Sequence, residues 1–513
     1  MCRQAIAAAA FAYRALALAA WAACGSHAAG DPGPALQIVG EATVVRSGDA
    51  VPATSPYFDG TTLRLTAARG ETLGIQVLHR GGGRTVLAIG ASDVAIRSFE
   101  VRRARVTRPS TALYGGSRGA GDYPDLLVEK AEPQTDPAYF EIAVGASVTP
   151  AIVQGELAVA GRRVPVVLTI TTAIVPPLPV EGAWAYEDPR EFAWAKLPPS
   201  TLDDASASER ACIALAHRYG VLLSPDLPVS AWPARKDLLA GAPDVPARIA
   251  TEPAAAAADV RAWIAATTGT HQVPFAIPLD EPRDAAAWAA VRTLSAAVRA
   301  AGGGPTSFRY AVTAAPRAEL GDAIDLYIAP DAAHLIGDTV ARWTYNGRPP
   351  AAGAFVVDAA EPGPRTWGWI AWRYQIATWY VWDALYWHDR HNRHGAELPG
   401  RAYAEATDAV SFDDGEDHGN LDGVLLEPGD AKTPCRPTLR LAQLRRGLED
   451  RALLDAAFAC DPAATQRLAE RVIPRALGDA TGAAAWPASD ADFERARVDL
   501  VILADACNNR LPR

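Results

Sequence analysis

The chain is poor in positive charge, in sulfur and in membrane-length apolar runs. Its 49 Lys and Arg are outnumbered by 59 Asp and Glu, for a formal net charge of −10. That balance argues against nucleic acid as a partner, because phosphate binding needs a basic face. Against 14 Trp there is a single Met, and there are only 6 Cys. No two of the cysteines have metal-ligand spacing, so no zinc site, and no metal of any kind, is expected. After the first residues no run is apolar and long enough for a membrane helix. No internal repeat or long low-complexity linker occurs. What remains is a globular composition, 49% hydrophobic and 21% charged. At 513 residues the chain exceeds one ordinary domain, and two or three are expected.

The N-terminus reads as a targeting segment, residues 1–24. Arg3 and Arg14 supply positive charge, and "ALALAAWAAC" (residues 15–24) is an apolar core of signal-peptide length, short for a bilayer span. Cys24, after Trp-Ala-Ala and before Gly25, resembles the lipidated cysteine of a bacterial lipoprotein, with Trp21 where Leu is usual. The alternative is cleavage after "SHA" (residues 26–28) and simple secretion. Either way the chain is expected to be exported, as an envelope lipoprotein or a secreted or periplasmic protein, and to meet a membrane only through a lipid at Cys24. In an oxidising compartment Cys460 and Cys507 could bridge the C-terminal helices; the other reading is buried free thiols.

Residues 35–179 carry short runs rich in Val, Ile, Leu and Thr, such as "TTLRLTAARG", "ETLGIQVLHR" and "RRVPVVLTITTAIV", with Gly, Pro and Asp at turn spacing. This predicts an antiparallel β-sandwich. "PPLPVEGAW" marks a boundary. Over residues 180–459 helical stretches alternate with apolar runs: "GVLLSPD", "PFAIPLDE", "SFRYAVT", "IDLYIAP", "RWTYN", "ATWYVWDALYW" and "DGVLLEPG". Alternation on this scale predicts a (β/α)8-type barrel. Residues 438–459 read as an amphipathic helix that closes it. Residues 460–513 read as a peripheral helical extension.

Within the barrel, "VPFAIPLDEPRD" (residues 273–284) sets Asp280 and Glu281 side by side after a strand-like run. Barrel active sites lie at strand C-terminal ends. Two adjacent carboxylates repel, so one pKa should rise, which suits general-acid chemistry; the ionised partner suits a developing cation. Chain neighbours are too close to flank a sugar as acid and nucleophile. They do suit substrate-assisted cleavage, in which the sugar's 2-acetamido oxygen attacks the anomeric carbon. The competing reading is a helix N-terminus, where acids favour the dipole and Pro282 fits a first turn.

Several stretches together resemble glycoside hydrolase family 123, the β-N-acetylgalactosaminidases, and the group called domain of unknown function 4091. They are "GDYPDLLVE", "AHRYGV", "PLDEP", "RWTYN", "RTWGWIAWRYQIATWYVW", "LDGVLLEPG" and "TLRLAQLRRGLEDRALL". The resemblance implies that Asp280 polarises the acetamido group and that Glu281 is acid, then base. It implies that Trp343, Tyr345, Trp382, Asp383 and Trp387 line the sugar pocket, with His217 and Arg218 structural. Asp358 and Arg365 touch substrate or cap a helix. The chain departs from the family pattern after Trp382, where Asp383 and Ala384 replace a small residue and Asn. The carboxylates of the acidic "SFDDGEDHGNLDG" could bind calcium, but their spacing is not that of an EF-hand, and the stretch reads as a solvated loop.

The expected function is an exported exo-β-N-acetylhexosaminidase, retaining and without cofactor, acting on a glycan with a 2-acetamido sugar. One rival is a non-catalytic carbohydrate-binding protein on the same scaffold. Another is a glycosidase pairing Glu281 with Asp358 or Asp383.

Overall fold

The structure, a computed structural model, describes residues 35–80, 82–177, 183–329, 341–387, 409–413 and 415–508. The targeting segment with Cys24 lies outside them, as do residues 178–182 at the expected boundary.

The first half is a sandwich of two sheets. Its strands are β1 (Leu36–Gly40), β2 (Leu63–Arg69), β3 (Thr72–His79), β4 (Thr85–Ile89), β5 (Val94–Val106), β6 (Gly121–Glu129), β7 (Ala138–Val144), β8 (Ala151–Val159) and β9 (Arg162–Ile174). One sheet runs β1-β3-β7-β5-β6 and the other β2-β9-β8-β4. All pairs are antiparallel except β2 with β9. Strand alternation builds the core: Val164, Val166, Leu168 and Ile170 of β9 face Ile75, Val77, Phe140 and Ile142 of the other sheet, all buried.

The second half is a nearly closed barrel of eight parallel strands. They are β10 (Ala183–Tyr186), β11 (Val221–Ser224), β12 (Asp244–Pro246), β13 (Val273–Ala276), β14 (Arg309–Val312), β15 (Leu326–Ile328), β16 (Ala341–Tyr345) and β17 (Thr378–Val381). They follow sequence order around the sheet, and β10 pairs with both β11 and β17. The remaining gap, between β11 and β12, is bridged just past the strand ends by Leu227 and Ala247. "LDGVLLEPG" is not a barrel strand. Leu426–Pro428 pairs antiparallel with Cys435–Pro437 instead, and the two barrel strands that the apolar runs did not give are Ala183–Tyr186, inside the expected boundary, and Asp244–Pro246.

Helices α1 (Ala207–Arg218), α2 (Pro253–Thr267) and α3 (Ala285–Ala300) follow β10, β12 and β13, and α4 (Thr366–Tyr374) precedes β17. Beyond the barrel come α5 (Leu439–Cys460), α6 (Pro462–Val472) and α7 (Asp490–Asn508). Thr438 caps α5 by accepting from the Leu441 N–H at 3.2 Å. The amphipathic reading of α5 fails, because residues 439–450 are all buried. Its charged face looks into protein. Arg440 pairs with Asp125 (2.9 Å), Arg445 with Glu141 (2.7 Å) and Glu41 (3.1 Å), and Arg446 with Glu71 (2.7 Å) and Glu494 (2.8 Å). The acids come from the sandwich and from α7, so α5 is the spine on which both are mounted, and α7 is built in rather than peripheral. Arg365 joins this lattice, bonding Asp450 at 3.2 Å and Asp490 at 2.6 Å.

A disulfide between Cys212 and Cys435 ties α1 to the strand preceding α5. Sequence spacing gave no hint of it. Cys460 is disulfide-bonded too, and so is not a free thiol; the Cys507 side chain lies outside those described.

Candidate active site

Strand direction gathers polar side chains at the C-terminal mouth of the barrel. Tyr186 ends β10, and Asp226 and Arg248 lie two residues past β11 and β12. Asp280 and Glu281 follow β13, and Thr313 follows β14. Tyr345 ends β16, and Trp382 and Asp383 follow β17. Helix α3 starts at Ala285 and is capped by Asp284, whose Oδ1 accepts from the Ala287 N–H at 2.9 Å. The helix-start role thus belongs to Asp284. Asp280 and Glu281 sit about one turn earlier, in the loop, and need another explanation.

One hydroxyl organises the pair. Thr313 Oγ1 accepts the Glu281 backbone N–H at 2.9 Å and donates to Asp280 Oδ1. Glu281 has φ +38°, a left-handed conformation that costs a non-glycine residue of order 1 kcal/mol. Such strain persists only where surrounding bonds over-determine it, and here the Thr313 bond and the flanking Pro282 do so. The indole of Trp288 on α3 adds a bond to the Pro282 carbonyl at 2.9 Å. The Tyr345 hydroxyl donates to Glu281 Oε1 at 3.1 Å, while Arg283 pairs with Oε2.

The electrostatics follow from partial burial. Desolvation pushes the Asp280 carboxyl above its ordinary value; the Thr313 bond opposes this, and the charge of Glu281 adds to it. The rise therefore falls on Asp280, the residue to which the resemblance gives the carboxylate role, and not on the acid as expected. Burial, reinforced by Glu281, pushes the Tyr345 hydroxyl well up, so it stays a donor. Asp226 is raised to about 6, chiefly by burial, against the pull of Arg248 and with a push from Asp280. Burial and the charges of Asp226, Asp383 and Asp280 raise Tyr380 far above the usual phenol range. The mouth is thus acidic, rimmed with fixed hydroxyl donors, and suited to a hydroxyl-rich ligand on which positive charge develops.

The aromatic candidates divide. Trp382 is 39% exposed, with Tyr386 at 5.0 Å between ring centroids, and can offer a stacking face. Asn346 clamps its backbone, donating to its carbonyl at 3.0 Å and accepting its N–H at 3.1 Å. Trp343 is 1% exposed and packs edge-on against Phe275 at 4.9 Å. Trp387 is fully buried, edge-on to Phe192, with its indole bonded to the Leu426 carbonyl at 2.8 Å. Both rings are core, not pocket wall. Asp383 is buried beneath the mouth, where its Oδ1 accepts the Leu385 N–H at 2.8 Å.

Asp358 and Arg365 leave the site altogether. Asp358 is fully buried at the sandwich–barrel joint, bound by the Ser110 hydroxyl (2.6 Å), the Ser110 N–H (2.9 Å) and the Asn420 amide (3.1 Å). It cannot partner Glu281. Arg365 belongs to the α5 lattice. His217 lies on α1, away from the strand ends. The acidic stretch forms a hairpin, Val410–Asp413 with His418–Asn420, pinned to the sandwich by Asp413 and Arg108 at 2.7 Å. No group of three or more metal-ligating side chains occurs among the described residues. Sequence reading missed Thr313, Asp226, Arg248, Tyr186 and Tyr380. Their one signal was position, at or within two residues of a strand end.

No protein-family model and no curated protein matches this sequence. Solved structures do resemble it. One is a family 123 glycoside hydrolase from Clostridium perfringens, whose structure was analysed for the details of glycolipid glycan hydrolysis. The match has a TM-score of 0.57 and 12% identity, covering 92% of this chain and 98% of the other. A glycosyl hydrolase family 2 member from Bacteroides cellulosilyticus gives a TM-score of 0.25 at 10% identity over 62% of this chain and 44% of its own, too weak to carry an argument. The sandwich, the eight-stranded barrel and the helical C-terminal region therefore make up a fold shared, over nearly the whole of both chains, with a family 123 glycoside hydrolase.

Proposed function

We propose that this chain is a glycoside hydrolase whose barrel mouth cleaves a terminal β-linked 2-acetamido sugar with retention of configuration. The observation that carries the reading is the adjacent Asp280–Glu281 pair, held past the end of β13 by Thr313 and Tyr345. In the first step the acetamido oxygen attacks the anomeric carbon while Asp280 accepts the amide N–H. Glu281 protonates the departing glycosidic oxygen. In the second, Glu281 takes a proton from water, which attacks the same carbon and reopens the ring formed by the acetamido group. Thr313 stabilises the Asp280 carboxylate, and Tyr345 orients Glu281. Trp382 offers its exposed face to the sugar.

Export belongs to the same proposal, through a signal at residues 1–24 and a lipid at Cys24. The disulfide between Cys212 and Cys435 supports it, since such bonds persist in oxidising compartments.

The test is nitrophenol release from aryl β-N-acetylgalactosaminide and β-N-acetylglucosaminide, with wild type beside Glu281→Gln. Turnover by wild type, reduced by at least roughly 100-fold in the variant, is expected, since general acid–base catalysis contributes that much. Equal rates for the two proteins would overturn the mechanism. Tight sugar binding without turnover would instead favour a non-catalytic carbohydrate-binding protein.

A further inference from the structure

We infer that Asp226 and Arg248 form a hydroxyl-reading subsite at the barrel mouth, the carboxylate accepting from and the guanidinium donating to neighbouring hydroxyls of the sugar ring. The inference rests on the proposed function and adds the residues that select the sugar.

The seam where the barrel closes fixes both residues. The Leu227 N–H bonds the Pro246 carbonyl at 3.1 Å, and the Arg248 N–H bonds the Leu227 carbonyl at 2.7 Å. Leu227 and Ala247, the bridged pair, are buried in the core. Extended-chain alternation turns their neighbours Asp226 and Arg248 to the other side. That side is the mouth. The charges of Arg248 and Asp280 both act on Asp226, Arg248 acts on Tyr186, and Asp226 and Asp280 both act on Tyr380. These groups lie within electrostatic reach of one another around the barrel mouth.

At the mouth the other acids are engaged. Asp280 is bonded to Thr313, Glu281 to Tyr345 and Arg283, and Asp383 to the Leu385 N–H. The side chains of Asp226 and Arg248 have no hydrogen-bond or ion-pair partner among the described residues, although each lies in the other's field. A half-buried carboxylate with a guanidinium near it and no hydrogen bond between the two keeps its acceptor capacity for a bound group. A carboxylate only accepts and a guanidinium only donates. A pair of neighbouring pyranose hydroxyls satisfies both, since each hydroxyl can do either.

The experiment is calorimetric binding of N-acetylgalactosamine and its 3-, 4- and 6-deoxy analogues to full-length wild type, Asp226→Asn and Arg248→Gln. A hydrogen bond to a charged group predicts roughly 10- to 100-fold weaker binding of the parent sugar by Asp226→Asn. It also predicts one deoxy analogue that binds wild type and Asp226→Asn equally. Arg248→Gln, at an exposed position, should converge on that analogue or on the one altered at the adjoining position. Equal loss across all analogues, unchanged binding in both variants, or no binding of any of these sugars by wild type would overturn the subsite. Nitrophenol release is scored separately. Turnover without analogue selectivity defeats the subsite alone, and selective binding without turnover defeats the hydrolase alone.

Discussion

Thr313 has one hydroxyl proton and two tasks. It accepts from the Glu281 N–H and donates to Asp280. Thr313→Val keeps the shape and removes both bonds. The bond from Thr313 favours ionised Asp280, so its loss should raise that carboxyl further. The acid limb of kcat/KM should then move up by roughly one pH unit, the equivalent of one charge-assisted bond. Thr313→Ser, which keeps the hydroxyl, should restore the wild-type profile. A Val variant with an unshifted limb would show that Thr313 only packs. None of this was legible beforehand. Asp280 and Glu281 stood out because two acids ended an apolar run, whereas Thr313, Asp226 and Arg248 are single polar residues in separate segments. They become one site only when the strands close. Trp343 and Trp387 misled in the opposite direction, because residue type says nothing about which face of an element a ring occupies.

Helix α5 shows where element-scale reading succeeds and where it stops. Its existence was plain from its length and its run of helix formers, and Thr438 at its start is an ordinary cap. Its environment was hidden, because arginines and acids read as solvent-facing. Strand β5 was missed for the same reason, with Arg97, Glu100, Arg102, Arg103 and Arg105 breaking its apolar pattern. The most regular runs, β9 and β3, were legible because β-branched alternation survives without tertiary context. The buried charges of α5 give a sharp expectation. Arg446 touches Glu71 at 2.7 Å and Glu494 at 2.8 Å, all three essentially without exposure. Arg446→Ala should lower unfolding stability by about 3–5 kcal/mol, because two acids would be left buried near an uncompensated gap. Arg210→Ala, which removes a surface pair with Asp237 at 3.0 Å, should change it by less than about 1 kcal/mol. Urea midpoints measure both, and similar shifts for the two variants would refute the spine role of α5.

Across the whole molecule, buried acids set how stability responds to pH. Burial raises Glu41 and Glu361 to about 7, Asp422 to about 7 and Glu449 to about 8. An acid raised on folding binds its proton more tightly in the folded chain. Its stabilising contribution is complete below its unfolded value and is lost as pH climbs through the folded one. Glu494 and Glu141 are lowered by their arginines, and their contribution is lost in the other direction, on acidification. The two sets leave a maximum between them, at about pH 5, with a decline from there to about pH 8. Self-repulsion in a chain of net charge −10 steepens that decline. A melting temperature that holds level or rises from pH 6 to 8 would contradict it. Glu361→Gln localises the effect. Glu361 Oε1 accepts the Val44 N–H at 2.7 Å, joining the loop before α4 to the sandwich, and a glutamine carbonyl can do the same without a proton to lose. The variant should match wild type at about pH 4.5, the unfolded value, and exceed it by pH 8, so the gap between their melting curves should open with rising pH and close with falling pH.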